Sequence, residues 1–166
     1  MSEINKILNE SKLKKEILWV IQAFNHENDF TLCLIGISFL EACLKDVLLR
    51  KLRKSSVTDE LLSHRGALGS VITKAQLAYT MEFIDKKEYQ DILKLSEIRN
   101  EFAHIHIQRD FNHKNIKNKC NDLHLPTLLP TEQMNESSKG AVDQLLNKAK
   151  IRFSMSVITI CNKLLT

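Results

Sequence analysis

The stretch DFTLCLIGISFLEACLKDVLLRKLRK, residues 29–54, decides the fold. Its first half carries Leu32, Leu34, Ile35, Ile37, Phe39 and Leu40, and Leu44 and Leu48 continue the pattern. The apolar positions go nearly all the way round a helix, which is the mark of a helix surrounded by protein rather than one lying on a surface. Asn28 or Asp29 supplies a side-chain oxygen able to cap its first turn. The longest uncharged run, Phe30 to Leu40, is well short of the roughly 20 residues needed to span a bilayer. A central buried helix is expected, and no membrane contact.

Helical spacing extends in both directions from this element. On the N-terminal side, Ile4, Leu8, Leu13, Ile17, Val20, Ile21 and Phe24 recur among lysines and glutamates, so residues 1–28 are read as an N-terminal amphipathic helix. On the C-terminal side, Ser55-Ser56 breaks the pattern and Asp59 to His64 forms one short helical segment. RGALGS follows, where Gly66 and Gly69 serve a turn or a close approach of backbones. Val71, Ala75, Leu77, Ala78, Met81 and Phe83 mark another helix. Asp85 caps the next, which buries Tyr89, Ile92, Leu93, Leu95, Ile98, Phe102 and Ala103. Residues 29–106 are therefore the core helices, 107–136 a basic segment and proline-bearing loop (LHLPTLLPTEQ), and 137–166 a C-terminal helix. The expected fold is all-α, a single-domain antiparallel helical bundle over residues 1–166.

Four glycines and two prolines in 166 residues leave long helices uninterrupted, and 43% hydrophobic residues suffice for one core. Twenty-four Lys and Arg against 20 Asp and Glu give a net charge of +4, compatible with a polyanionic partner without requiring one. Lys45, Arg50, Lys51, Arg53 and Lys54 crowd the end of the 29–54 helix, where the helix dipole favours cations whatever the ligand. Cys33, Cys43, Cys120 and Cys161 have no CxxC spacing, and the first twenty residues are charged rather than signal-like, so reduced thiols in a cytoplasmic protein are expected. His113, Cys120 and His124 are a weak metal set on a segment that reads as loop, and no phosphate-binding glycine pattern occurs. No cofactor and no metal is expected.

One polar constellation stands out: IRNEFAHIH, residues 98–106, at the end of a buried helix. His104 could exchange a proton with a ribose 2′-hydroxyl or a leaving oxygen, and Arg99 could hold the scissile phosphate and the charge that grows on it. Asn100 could contact the phosphate or orient the histidine. Positions five apart on a helix diverge by about 140° and about 7.5 Å, so Arg99 and His104 meet only if the helix deforms, the arginine bends across, or a second subunit contributes. His106 falls within about 20° of Arg99 on a continuing helix. Arg109 and Lys114 add positive charge nearby. Glu41, the one charge in an apolar run, can pair with Lys45 one turn on or, if buried, with Arg99. The alternative is that Arg99 and the histidines simply close a helix end.

The run RGALGSVITKAQLAYTMEFIDKKEYQDILKLSEIRNEFAH resembles the mannitol-operon-repressor-like family of bacterial helical proteins, through GALGS, KAQLAY, IDKKEY and the arginine-to-histidine ending. FNHKNI, the proline-containing loop and RFSMSVITI extend the resemblance over most of the chain from about Phe30. Separately, R-N-x-x-x-H is similar to the signature of HEPN domains, helical bundles found in RNA-cleaving toxins and antiviral nucleases. That second resemblance implies a metal-independent endoribonuclease with Arg99 and His104 catalytic and Asn100 as polar helper, working across a homodimer and restrained by an antitoxin or other regulatory protein. The tyrosine that often stands two residues after the HEPN histidine is His106 here. The first resemblance implies a non-catalytic transcriptional regulator acting by protein or nucleic-acid contacts, and no helix-turn-helix signature accompanies it. The expectation is an RNA-directed nuclease with the regulator as alternative; Asn100, His106, Glu41, Arg109 and Lys114 are the supporting residues of the nuclease site.

Overall fold

The computed structural model describes residues 28–103, 109–124 and 148–165. The expected N-terminal helix, His104, His106, and the stretch from the proline loop to the start of the expected last helix lie outside them. Six helices make up the described residues: α1 (Asp29–Lys51), α2 (Ser56–Leu61), α3 (Val71–Thr80), α4 (Lys86–Phe102), α5 (Lys114–Asn121) and α6 (Ala149–Leu165).

α1 is the central element its sequence predicts. Asn28 caps it, its Oδ1 accepting from Thr31 N at 2.9 Å, and it packs against α3, α4 and α6. Leu32, Cys33, Leu40, Leu44 and Leu48 are fully buried. At its far end Arg50 donates to the carbonyl of Leu164 at 2.6 Å, closing α1 against the last carbonyls of α6. At the near end Lys150 meets Asp29 at 3.0 Å. Start lies by start and end by end, so α1 and α6 run parallel. α4 runs antiparallel to two of its neighbours: Tyr79 of α3 stacks on Tyr89 of α4 across the intervening turn, and Lys163 near the end of α6 reaches Glu88 at the start of α4 at 2.6 Å.

α2 and the loop after it are built by close backbone approach. Ser55 caps α2, and Leu62, 1% exposed, anchors its end. A Cβ on Gly66 would fall 2.1 Å from the carbonyl oxygen of Glu60, and one on Gly69 would fall 2.5 Å from that of His64. Only glycine lets the chain turn back so tightly here. Capping boxes then start α3 at Ser70 and α4 at Asp85.

Residues 107–136 do not remain irregular throughout as expected: Lys114–Asn121 is helix. Ile116 and Cys120, one turn apart, are its two fully buried side chains, and six polar residues hide that stripe. His113 gives α5 no side-chain cap. Its C-terminal end is held instead by Arg152 of α6, which donates Nε to the carbonyl of Cys120 at 2.8 Å and Nη2 to those of Asn121 and Leu123 at 3.0 and 2.9 Å. All four cysteines are buried and unbridged, Cys43 and Cys161 in mutual hydrogen-bond contact across α1 and α6.

Candidate functional site: the end of α4 and the cleft beside it

α4 carries the arginine of the R-x4-H motif on its last turn. Arg99 and Asn100 are both exposed, and Arg99 Nη1 donates to Asn100 Oδ1 at 3.2 Å. The side chain is exposed, and no carboxylate among the described residues locks the guanidinium into the packing. It lies close enough to Cys33 of α1 to favour that thiolate, but burial and neighbouring Cys120 outweigh it and push the Cys33 thiol up. Burial likewise pushes Cys120 up to about 12, so neither thiol is poised as a nucleophile.

The supporting residues separate into three groups. Arg109 is drawn to the end of α4, where its Nη1 donates to the Glu101 carboxylate and, at 3.3 Å, to the Glu101 carbonyl. That pairing cancels the positive charge Arg109 was expected to bring to the motif. Lys114 is exposed on the first turn of α5. Glu41 is elsewhere: its Oε1 accepts from Lys74 Nζ at 2.8 Å. Pairing of Glu41 with Lys45 or with Arg99 is thus corrected. The physical reason is Lys74, whose position between Val71 and Ala78 places it on the buried stripe of α3. At 1% exposure its ammonium needs partners, and it takes Glu41 together with the carbonyl of Gly69 at 2.9 Å.

An open cleft of about 350 Å³ lies along α4, lined by Gln90, Asp91, Leu93, Lys94, Glu97, Asp122 and His124. Asp91 is 3% exposed. Its Oδ1 accepts from His124 N and from His124 Nδ1, both at 2.9 Å. Burial raises the Asp91 carboxyl; the His124 backbone N–H, its imidazole and Arg152 work in the opposite direction. With Asp91 ionised, His124 is fixed as the Nδ1–H tautomer, leaving Nε2 as an acceptor on a ring whose side chain is 43% exposed. Lys94 faces Asp122 at 3.7 Å and Lys119 faces Glu97 at 2.6 Å across the α4–α5 seam. The arrangement clasps the turn after α5 and orients one imidazole beside mixed charges.

Sequence reasoning weighed His124 only as a metal ligand with His113 and Cys120. In the fold Cys120 is sealed inside and His124 turns to Asp91. The available signal was Asp91 itself, which shares the buried stripe of Leu95, Ile98 and Phe102 at helical spacing.

The family model described as the mannitol repressor, MtlR, matches residues 20–164. The chain belongs to the mannitol repressor family. Among solved structures it is similar to a chain of the X-ray structure of the MtlR–HPr complex from Escherichia coli, with a TM-score of 0.67 and 22% identity over 91% of this chain and 99% of that one. It is also similar to YggD from Shigella flexneri 2a, described as a possible transcriptional regulator, with a TM-score of 0.65 and 16% identity over 89% of this chain and 97% of that one. No curated protein matches the chain. At these identities the two structures establish a shared fold. For this mannitol repressor family member, the resemblance seen in GALGS, KAQLAY and IDKKEY is the one that the family match bears out.

Proposed function

We propose that this chain is a non-catalytic regulator of the mannitol repressor type, acting through contact with a partner protein. The family match over residues 20–164 carries this reading. A member of the same fold has been captured with HPr, and HPr is the first partner to test. The described geometry favours binding over cleavage. Among the described residues, Arg99 is hydrogen-bonded to Asn100, Arg109 is neutralised by Glu101, and Glu41 serves Lys74, so these side chains are engaged with protein partners. Among the described residues, no helix is long and apolar enough to cross a membrane. The homodimer expected from the HEPN resemblance belongs to the nuclease alternative and is checked by sedimentation equilibrium.

Calorimetric titration of the purified chain with HPr should give a saturable stoichiometric complex. No heat and no co-elution over a range of salt concentrations would remove HPr as the partner. The nuclease alternative is read in the same preparation. RNA cleaved in EDTA, with cleavage abolished by Arg99→Ala in a protein of unchanged helicity, would overturn the non-catalytic reading.

A further inference from the structure

Two side-chain ties fix the register between the parallel helices α1 and α6, Lys150 on Asp29 at 3.0 Å and Arg50 on the Leu164 carbonyl at 2.6 Å. Cys43 stands 14 residues after Asp29, and Cys161 11 after Lys150. Counted back from the other tie, Cys43 stands seven residues before Arg50 and Cys161 three before Leu164. The first tie alone sets Cys161 three residues behind the level of Cys43, and the second sets it four ahead. Together they bracket the position, so the two cysteines stand level to within about one helical turn of 5.4 Å. Both lie on the buried stripes of their helices, at 3% and 0% exposure. Their thiols meet there, the Cys161 S–H donating to the Cys43 sulfur.

A cysteine in a core ordinarily packs as a small hydrophobe. Cys33 and Cys120 do so, burial pushing both thiols up. Cys43 differs from them. The hydrogen bond from Cys161 holds its thiol below the ordinary value against burial and Asp46, and Arg50 acts in the same direction as the hydrogen bond. Burial pushes Cys161 up, which keeps it the donor. Cys43 is also the member of the pair with some access to solvent, 3% against none. One thiol able to ionise thus sits beside a second in position to attack it once it is oxidised.

We infer that Cys43 and Cys161 form a site of reversible oxidation by a small peroxide, closing to a disulfide that staples α1 to α6. The Cys43 thiolate attacks one peroxide oxygen. Its S–O bond forms, the O–O bond breaks, and the departing hydroxide takes up the proton released by the thiol as water. The Cys161 sulfur then attacks the Cys43 sulfur. The S–S bond forms, the S–O bond breaks, and the leaving hydroxide carries off the Cys161 proton as a second water. Two electrons pass from the two sulfurs to the peroxide. A bulky disulfide oxidant fits less well, because a side chain 3% exposed gives it no line of attack. The bridge joins the first described helix to the last, and its chemistry is independent of whether the chain binds HPr.

Hydrogen peroxide added to the folded full chain in the absence of reductant tests the site. Remaining thiols are alkylated in denaturant and the peptides mapped by mass spectrometry. A chain lighter by two hydrogen atoms is expected, with one internal link, Cys43 to Cys161, that dithiothreitol opens. Cys161→Ala should leave Cys43 as a sulfenic acid that dimedone traps, and Cys43→Ala should leave Cys161 unoxidised. Cys33→Ala and Cys120→Ala should bridge as the wild type does. The wild-type map decides the matter even where a variant fails to fold. Four alkylated thiols after a treatment that fully oxidises glutathione in the same tube overturn the inference. So do links from Cys43 or Cys161 to Cys33 or Cys120, links between chains, or a folded chain that gives the same mixture of links as one held unfolded in urea.

Discussion

Lys74 and Asp91 are both charged and both buried, at 1% and 3% exposure, yet the fold answers them with different partners. Lys74, on α3, meets a carboxylate that keeps one side in water, the Glu41 side chain being 37% exposed, together with a backbone carbonyl. Asp91, on α4, meets a backbone N–H and an imidazole. The first braces the glycine loop behind α2. The second pins the turn after α5, beside a cleft of mixed charge. A buried charge in this molecule marks a place where a loop is tied to the bundle, and the chemistry of its partner decides what can loosen the tie.

The tightest point on the Lys74 side is Gly66. Gly66→Ala pushes a methyl into the Glu60 and Leu61 carbonyls, which are backbone and cannot swing away. A loss of about 3 kcal/mol is expected, read by urea unfolding. A neutral result would mean that the loop is free to move and that α2 is not held rigidly. On the Asp91 side the comparable point is Arg152. Arg152→Met keeps the aliphatic stem and removes three bonds to the end of α5, at about 2 kcal/mol. Faster hydrogen exchange should appear in α5 and not in α2; uniform exchange across both would erase the distinction between the two ties.

The lysine tie itself is smaller. Glu41→Gln should cost about 1 to 2 kcal/mol, since Lys74 keeps the Gly69 carbonyl and water reaches the half-exposed partner. Lys74→Met should be closer to neutral in stability, because it removes the buried charge together with its need for partners. If Lys74→Met proves the more damaging of the two, the ammonium is a net stabiliser and the pairing has been misjudged.

The bundle was legible because its main helices declare themselves. The apolar girth of α1, the caps at Asn28 and Asp85, and the glycines of RGALGS each have a local physical cause. α5 was not legible, since Ile116 and Cys120 are its only buried residues and its end is capped by an arginine from α6. The pairing rule for helix neighbours pointed Glu41 to Lys45, whereas its partner stands 33 residues away. Lys74 and Asp91 drew no attention in the sequence, although both stand on buried stripes. At the motif, Arg99 and Asn100 are exposed, and His104 and His106 lie outside the described residues. Side-chain chemistry was readable one residue at a time; which charges meet depended on contacts between distant helices.

The smallest effect separates Asp91 from Asp85 by the sign of its pH dependence. Burial raises the Asp91 carboxyl, so the folded chain holds that proton at a pH where the unfolded chain, with an ordinary value of about 4, has released it. Its contribution is fully present below the unfolded value and is lost as pH rises through the folded one. Asp85 is the reverse. Accepting from Glu88 N lowers its carboxyl, so its contribution is present above the unfolded value and is lost as pH falls through the folded one. Stability of the wild type relative to Asp91→Asn should therefore decline as pH rises from about 4, while stability relative to Asp85→Asn should increase as pH rises towards that value. Urea midpoints at matched pH values measure both slopes. His124, Arg152, Lys94, Glu97 and Asp122 surround the Asp91 end, so Asp91→Asn is to be repeated with His124→Gln to remove the imidazole from the comparison. Slopes of the same sign at both aspartates would mean that the His124 and Arg152 contacts outweigh burial at Asp91, and that its clasp acts as an ordinary ion pair.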